Sequence, residues 1–325
     1  MGSMGTEFDA ILIGRNEGAR LPRAIAAFAG KARRIVYVDS GSRDDSVAQA
    51  RALGAQVVEL DPARPFTAAR ARNEGFAALG DDPAPFVQFM DGDCVAEPDW
   101  PDRALRFLAA TPKAALVHGY SQEEAPEASV YNWITHWEWQ MRPGPNASGL
   151  GVFMARSAVF ARTGGFRDTM IAAEDDELFF RIRALGWETW CVPEPMCRHD
   201  VKLHCFPPWF RRMVRAGHSF EELAFLHNGA ARAQRLRALF WAGLMPLLAL
   251  TAIALVPLAL GLVLAVYAAS ILRLARRLQG QGLSMARAVH VAGLLMLSKF
   301  ANLYGMGNFW LRRLRRSDAK IIEYK

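Results

Sequence analysis

Over the first two-thirds of the chain, apolar residues come in short runs broken by turn formers; over the last third they form long, nearly charge-free stretches. Residues 8–13 (Phe-Asp-Ala-Ile-Leu-Ile) read as a buried strand that ends in a turn at Gly14. Leu21, Ile25 and Phe28 follow at helical spacing. Residues 34–39 predict a second strand, broken by Ser40-Gly41-Ser42, and Asp44 or Asp45 can cap a helix that stops at Gly54. Residues 56–60 predict a third strand, 70–79 a helix, and 85–90 a fourth strand that stops at Asp91.

Strands alternating with helices predict a mostly parallel, Rossmann-like sheet with right-handed crossovers. Ligands on such sheets bind beyond the carboxyl ends of the strands. Asn16, Asp39 and Asp91 all fall there. Residues 100–222 are less regular, with a helix at 100–110, a strand at 114–119, a Trp-rich stretch at 131–139, glycines at 149–151 and a helix at 174–185. No linker marks a break before about residue 222, so 8–222 reads as one α/β domain and 223–325 as an all-α region. Residues 1–7 read as a cloning remnant, with no signal peptide before the first strand.

The charge is as uneven as the hydropathy. The chain carries a formal +7, yet residues 1–222 hold 25 basic and 30 acidic side chains. Residues 223–317 hold 12 Lys/Arg and no Asp or Glu. A basic stripe across the folded body, as nucleic-acid binding would need, is therefore not expected. A basic, apolar tail suits a membrane with anionic lipids.

Arg237 and Arg273 bracket 35 uncharged residues, long for one bilayer span and suited to two short helices folded back near Pro257–Gly261. Arginines at 232, 235 and 237 precede this hairpin (about 238–272) and others at 273, 276 and 277 follow it, so both flanks favour the cytoplasm and an even number of passes. A third stretch, 288–311, contains Lys299 and ends in Arg312 and Arg313. It reads as an interfacial or re-entrant helix with Lys299 snorkelling. The four cysteines suit a reducing compartment without disulfides. Cys191, Cys197, His199, His204 and Cys205 lack the C-x₂₋₄-C spacing of a zinc site.

Asp91-Gly92-Asp93 follows a strongly apolar strand. Two carboxylates at a strand end can share a divalent cation with a diphosphate, although Asp-Gly by itself is ordinary turn chemistry. Glu174-Asp175-Asp176-Glu177 opens a helix. Helix-dipole stabilisation and an i,i+4 pair with Arg181 explain Glu177, whereas four adjacent acids raise one another's pKa and offer a general base. His199 is either structural or a further metal ligand. Trp133, Trp137 and Trp139 suit a sugar acceptor, the lipid interface or plain packing, and Arg211, Arg212 and Arg215 suit a diphosphate or a solvated face.

Taken in order, Ile11-Leu-Ile-Gly-Arg-Asn-Glu17, Val38-Asp-Ser-Gly-Ser-Arg-Asp-Asp45, Ala71-Arg-Asn-Glu-Gly75, Met90-Asp-Gly-Asp93, Gly164-Gly-Phe166 and Glu174-Asp-Asp-Glu-Leu178 with Arg181 resemble the family-2 inverting glycosyltransferases of GT-A fold. The chain looks especially like bacterial exopolysaccharide and lipid-linked glycan enzymes that carry such a domain before a C-terminal membrane segment. The resemblance implies that Asp39 bonds the donor's pyrimidine base with Arg15, Glu17 and Arg70 nearby. It implies that Asp91 serves ribose and metal, that Asp93 binds the metal (Mn²⁺ or Mg²⁺) and that His199 completes its ligands. Asp175 would be the base, with Glu174 able to share that role.

The implied reaction is transfer of one sugar from a nucleotide-diphosphate donor, a UDP-sugar, to a polyprenyl-linked or glycolipid acceptor. It would occur at the cytoplasmic face of a bacterial inner membrane. The Gln-x-x-Arg-Trp signature of processive members is absent, in keeping with single transfer. Nucleotidyl or phosphoryl transfer would want a Gly-rich phosphate loop with Lys, and none occurs. A non-catalytic membrane scaffold predicts no metal-dependent nucleotide binding.

Overall fold

The computed structural model describes residues 7–146, 148–255 and 257–315. Contacts divide them into two compact units that meet in sequence at Lys202/Leu203. The border expected near 222 falls inside an unbroken helix, Phe206–Leu226, which groups with the second unit.

The first unit is built on a nine-stranded mixed sheet, here numbered β1 (Phe8–Gly14), β2 (Ile35–Asp39), β3 (Gln56–Glu59), β4 (Phe86–Asp91), β5 (Cys94–Ala96), β6 (Ala114–Glu123), β7 (Gly144–Pro145), β8 (Phe153–Arg156) and β9 (Glu188–His199). The order is β3-β2-β1-β4-β8-β6-β9-β5, with β7 on β9. The block β3-β2-β1-β4 is parallel throughout, as the alternation of strands and helices predicts. The strand β8 then runs antiparallel between β4 and β6, while β6 and β9 pair in parallel. Sequence pattern missed β5, β7, β8 and β9. Three of these are two to four residues long, and β9 carries Pro193 and Pro195, which argue against a central strand.

Helices cover both faces, so the central strands are apolar on both sides. Leu12, Tyr37 and Met90 face one core; Ile11, Val38 and Phe89 face the other. Gly75 lets the Ala68–Ala77 helix close on the sheet, since a Cβ there would sit 2.5 Å from Ile11 Cγ2. Near the amino end of β1, the wholly buried Asp9 accepts from Arg33, Arg34 and the Ala84 N–H at 2.7–3.3 Å.

The second unit is helical. Phe206–Leu226 packs along Met285–Leu314, and a Cβ on Gly217 or Gly305 would overlap the facing backbone. The buried Glu221 accepts from Arg235 Nε (2.8 Å) and Trp310 Nε1 (3.2 Å). Arg232–Ala238, a π-helical turn at Leu239–Leu244 and Met245–Leu255 run on from one another, and Pro257–Gln279 packs against Met245–Leu255. Two helical segments, Arg232–Ala254 and Ala259–Gln279, are long and apolar enough to cross a membrane. Only 17% and 11% of their apolar windows are buried, unlike the core helices of a soluble protein. The Met285–Leu314 helix instead buries one stripe, including Val291, Leu295, Ser298, Asn302 and Phe309.

Candidate active site

The loops beyond the carboxyl ends of β1 and β2 are knitted together. Asn16 adopts φ +57°, a conformation asparagine tolerates, and its Oδ1 accepts from the Arg43 N–H at 2.8 Å. The Asn16 and Glu17 amides donate to Ser42 Oγ (2.8 Å) and Ser46 Oγ (3.1 Å). Asp39, 3% exposed, accepts from the Gly41 and Ser42 amides and from the Tyr37 hydroxyl. Burial and the Asp39 charge push the Tyr37 phenol far up, so it remains a donor. Arg15 is exposed, and its amide donates to Glu17 Oε1. Arg70 is buried, its guanidinium held by Glu74 and by the carbonyls of Asp61 and Arg64, so it braces the 61–65 loop.

Arg72, which sequence reasoning did not single out, joins the parts. Its side chain is 2% exposed and lies between Asp91 Oδ1 (2.7 Å) and Glu174 Oε1 (2.6 Å). Burial opposes its charge, but Asp91 and Glu174 outweigh burial and raise its pKa. Its Nε is buried and has no hydrogen-bond partner among the described residues. Gly151 leaves room for this guanidinium, because a Cβ there would lie 2.6 Å from Arg72 Nη2. The signal was present in the sequence, since Arg72 belongs to the Ala71–Gly75 segment.

The acidic helix Glu174–Ala184 is entered through Ala173 at φ +57°. Its four acids separate by environment. Glu177 is clamped by Arg181 at 2.7–2.9 Å, with Arg167 at 3.6 Å, so it is structural. Glu174 is paired to Arg72. Asp175 accepts from the Gly151 N–H at 2.8 Å, and Asp176 from the Gly149 N–H at 3.1 Å. Burial pushes Asp175 up to about 8, helped by the neighbouring charges of Asp176 and Glu174 and opposed by Arg72. Burial also raises Asp176, to about 6, against hydrogen bonds from Ser148 and Gly149. Asp175 is thus a buried carboxyl poised near neutral pH, which general acid–base chemistry requires.

Asp93 and His199 meet across the sheet. The pairing of β5 with β9 sets Cys94 opposite His199, and His199 Nε2 lies 3.1 Å from Asp93 Oδ2. Trp139 stacks on the His199 ring (centroids 5.0 Å apart, 15° between planes), while Trp133 and Trp137 stack on each other. Arg20 Nη1 stands 3.5 Å from Asp93 Oδ2 and its Nη2 2.7 Å from Glu17. Asp93, Cys94 and His199 offer donor atoms within 4.8 Å of one another. A carboxylate with an imidazole suits a borderline divalent ion, and Mn²⁺ accepts imidazole more readily than Mg²⁺ does. The residues present therefore fit such an ion.

Glu123, also missed from sequence, holds this corner. It accepts from the amides of Val201 (2.9 Å) and Ala125 (3.2 Å) and from Asn132 Nδ2 (3.1 Å). It thereby ties the end of β9 to the Val130–Trp139 helix. Arg211 (exposed) and Arg212 (half-buried) belong to the second unit, on Phe206–Leu226.

Residues 9–160 match the model of the family described as Glycosyl transferase family 2. Over 230 residues the chain is 27% identical to a pre-mycofactocin glycosyltransferase of Mycobacterium tuberculosis, in strains CDC 1551 / Oshkosh and H37Rv alike. The match covers 66% of this chain and 46% of the relative, so the chain spans about half the length of those curated relatives. The fold is similar to that of a mannosyltransferase from Pyrobaculum calidifontis solved with GDP-Man and Mn²⁺ (TM-score 0.53, 16% identity, 95% of this chain and 86% of that one).

Proposed function

We propose that residues 9–160, which match the Glycosyl transferase family 2 model, form a sugar-transferring domain on a GT-A fold, and that the chain transfers a single sugar, with inversion, from a nucleotide-diphosphate donor to a lipid-linked acceptor. The donor is a UDP-sugar, the acceptor a polyprenyl-linked or glycolipid hydroxyl, and the setting the cytoplasmic face of a bacterial inner membrane, in polysaccharide or glycolipid synthesis. The observation that carries this reading is Asp175. It is a buried carboxyl held near neutral pH, one residue from a Glu174 that Arg72 ties to Asp91.

Asp175 takes the proton of the acceptor hydroxyl. The acceptor oxygen bonds to the anomeric carbon as the bond from that carbon to the diphosphate oxygen breaks, and the nucleoside diphosphate leaves with that electron pair. Glu174 is spent on Arg72, which favours Asp175 as the base. Asp93 and His199 would hold a divalent cation, Mn²⁺ before Mg²⁺. When bound, the cation neutralises negative charge developing on the leaving diphosphate. Asp39, Arg15 and Glu17 line the donor-base end, and Arg70 shapes its 61–65 wall. Trp133 and Trp137 serve the acceptor; Trp139 orients His199.

Asp175→Asn tests the reading. Radiolabelled sugar transfer to membrane-extract lipid should fall by about 10²–10⁴-fold. Mn²⁺-dependent UDP binding should stay within a few-fold of wild type. Near-normal turnover in the variant would remove Asp175 from the mechanism. An absence of metal-dependent nucleotide binding in the wild type would favour a non-catalytic scaffold.

A further inference from the structure

The helical hairpin of the second unit has one polar end and one end with no interfacial residues. The Tyr267 hydroxyl donates to the Trp241 carbonyl, and their rings lie 5.4 Å apart, so the two arms run back along each other. That places arginines 232, 235 and 237 of the first arm and 273, 276 and 277 of the second at the same end. Five of the six are exposed; Arg235 bonds Glu221. Trp241 and Tyr267 sit one to two turns in from them, where interfacial aromatics belong.

The other end is different. Between Ala242 and Val266 the only hydroxyl, amide or charged side chain is Thr251, and its hydroxyl donates to the Leu247 carbonyl. Large apolar side chains point outward there, among them Leu250 (66% exposed) and Leu262 (69%). A hairpin that crossed the bilayer would bring its turn to the far headgroups, where polar turn residues or a second aromatic belt are expected. Ala252-Ile-Ala-Leu-Val-Pro-Leu-Ala-Leu-Gly261 supplies neither.

Length permits the same reading: the segments long enough to cross, Arg232–Ala254 and Ala259–Gln279, reach that length by including the flanking arginines, and the uncharged arms are shorter. From Ala238 to Leu255 is 18 residues and from Pro257 to Leu272 is 16. At 1.5 Å per residue these arms reach about 27 Å and about 24 Å, and tilt shortens both. The hydrocarbon core is about 30 Å thick. A helix start in lipid leaves amides unsatisfied, but Pro257, at the first position of the second arm, has no N–H to leave so.

We propose that this hairpin is re-entrant: it enters the bilayer among anionic headgroups, held by its arginines, and its tip ends within the hydrocarbon without reaching the opposite face. The inference rests on the membrane reading of this unit and replaces two full crossings with an anchor in which both arms and the tip belong to one side.

Single reporter cysteines test it in the full chain, expressed in bacterial inner membrane, with the exposed Cys205 changed to Ser. Ala254→Cys and Ala259→Cys report the tip, and Gln279→Cys the arginine end. A membrane-impermeant maleimide should label Gln279→Cys from one side only and leave both tip cysteines unlabelled from either side until detergent is added. A fluorophore at Ala259→Cys, in reconstituted phosphatidylglycerol-containing vesicles, should be quenched at least several-fold more by deep-chain brominated lipid than by aqueous iodide. Labelling of the tip from the side opposite Gln279→Cys would show a full crossing and overturn the proposal. Labelling from the same side would place the hairpin on the surface and overturn it equally. Release of the wild-type chain by alkaline carbonate would instead defeat the membrane reading itself.

Discussion

Two buried carboxyl sites in the first unit, Asp9 on β1 and Asp175 on the acidic helix, have opposite fates. Asp9 is wholly buried, and burial alone would raise its pKa; hydrogen bonds from Arg34, Arg33 and the Ala84 N–H outweigh burial and lower it. Asp175 is also buried, but its donors are only the Gly151 and Asp176 amides, it has two acidic neighbours and a single opposing guanidinium at Arg72, and it rises to about 8. A fully compensated carboxylate holds the fold together. An under-compensated one is costly to ionise, and that cost is what tunes it for proton transfer.

The largest test of this contrast is Asp175→Asn, which should abolish transfer without lowering thermal stability. Between about pH 4 and pH 8 the native state keeps a proton on Asp175 that the unfolded chain gives up, so the wild type loses stability as pH rises through that window. The Asn variant should lack that slope in denaturation measured across those pH values. In wild type, kcat/KM should climb tenfold per pH unit below about 8 and level off above it. A rate that is flat across pH 6–8 would break the comparison.

Asp9→Ala should do the reverse. Removing the shared partner of two arginines should cost about 3 kcal/mol, the low end for a broken buried pair because both arginines reach solvent. The folded pKa of Asp9 lies below its unfolded value. Its contribution is therefore fully present above about pH 4 and is lost as pH falls toward the lowered folded pKa, and urea titration should show a smaller deficit in the variant at pH 3 than at pH 7. Nucleotide affinity at pH 7 should not change in the folded variant.

A smaller effect, on the order of tenfold, is expected for metal-dependent UDP binding in Asp93→Asn and His199→Gln, read by calorimetry with and without Mn²⁺. The smallest concerns Arg72→Gln. Losing the one cation that opposes the Asp175 shift should move the inflection of the pH–rate profile upward. An unchanged inflection would mean that Arg72 acts only through Asp91.

Local pattern accounts for much of the first unit. The parallel block and the apolar strand ending at Asp91 follow from apolar runs punctuated by Gly, Ser and Asp, because strand period and turn chemistry are local. Likewise the Glu177–Arg181 pair follows from i,i+4 spacing alone. The rest was illegible for a stated reason in each case. Strand β9 hides behind Pro193 and Pro195, and with it the path that brings His199 to Asp93. Arg70 and Arg72 are two residues apart, on opposite sides of one helix; Arg70 turns to backbone carbonyls and Glu74 and Arg72 to Asp91 and Glu174, a choice made by which side of the helix meets the sheet.

The sequence by itself determined the family's ordered motifs, the α/β core, the acid-free arginine-rich tail and the 35-residue uncharged stretch, since each rests on residues close together in the chain. Tertiary structure alone decided which of four adjacent acids keeps its proton. That depends on dielectric and on partners 24 to 102 residues away, Gly151 at Asp175 and Arg72 at Glu174. Coulomb interactions between such groups exist only once the chain has folded them together.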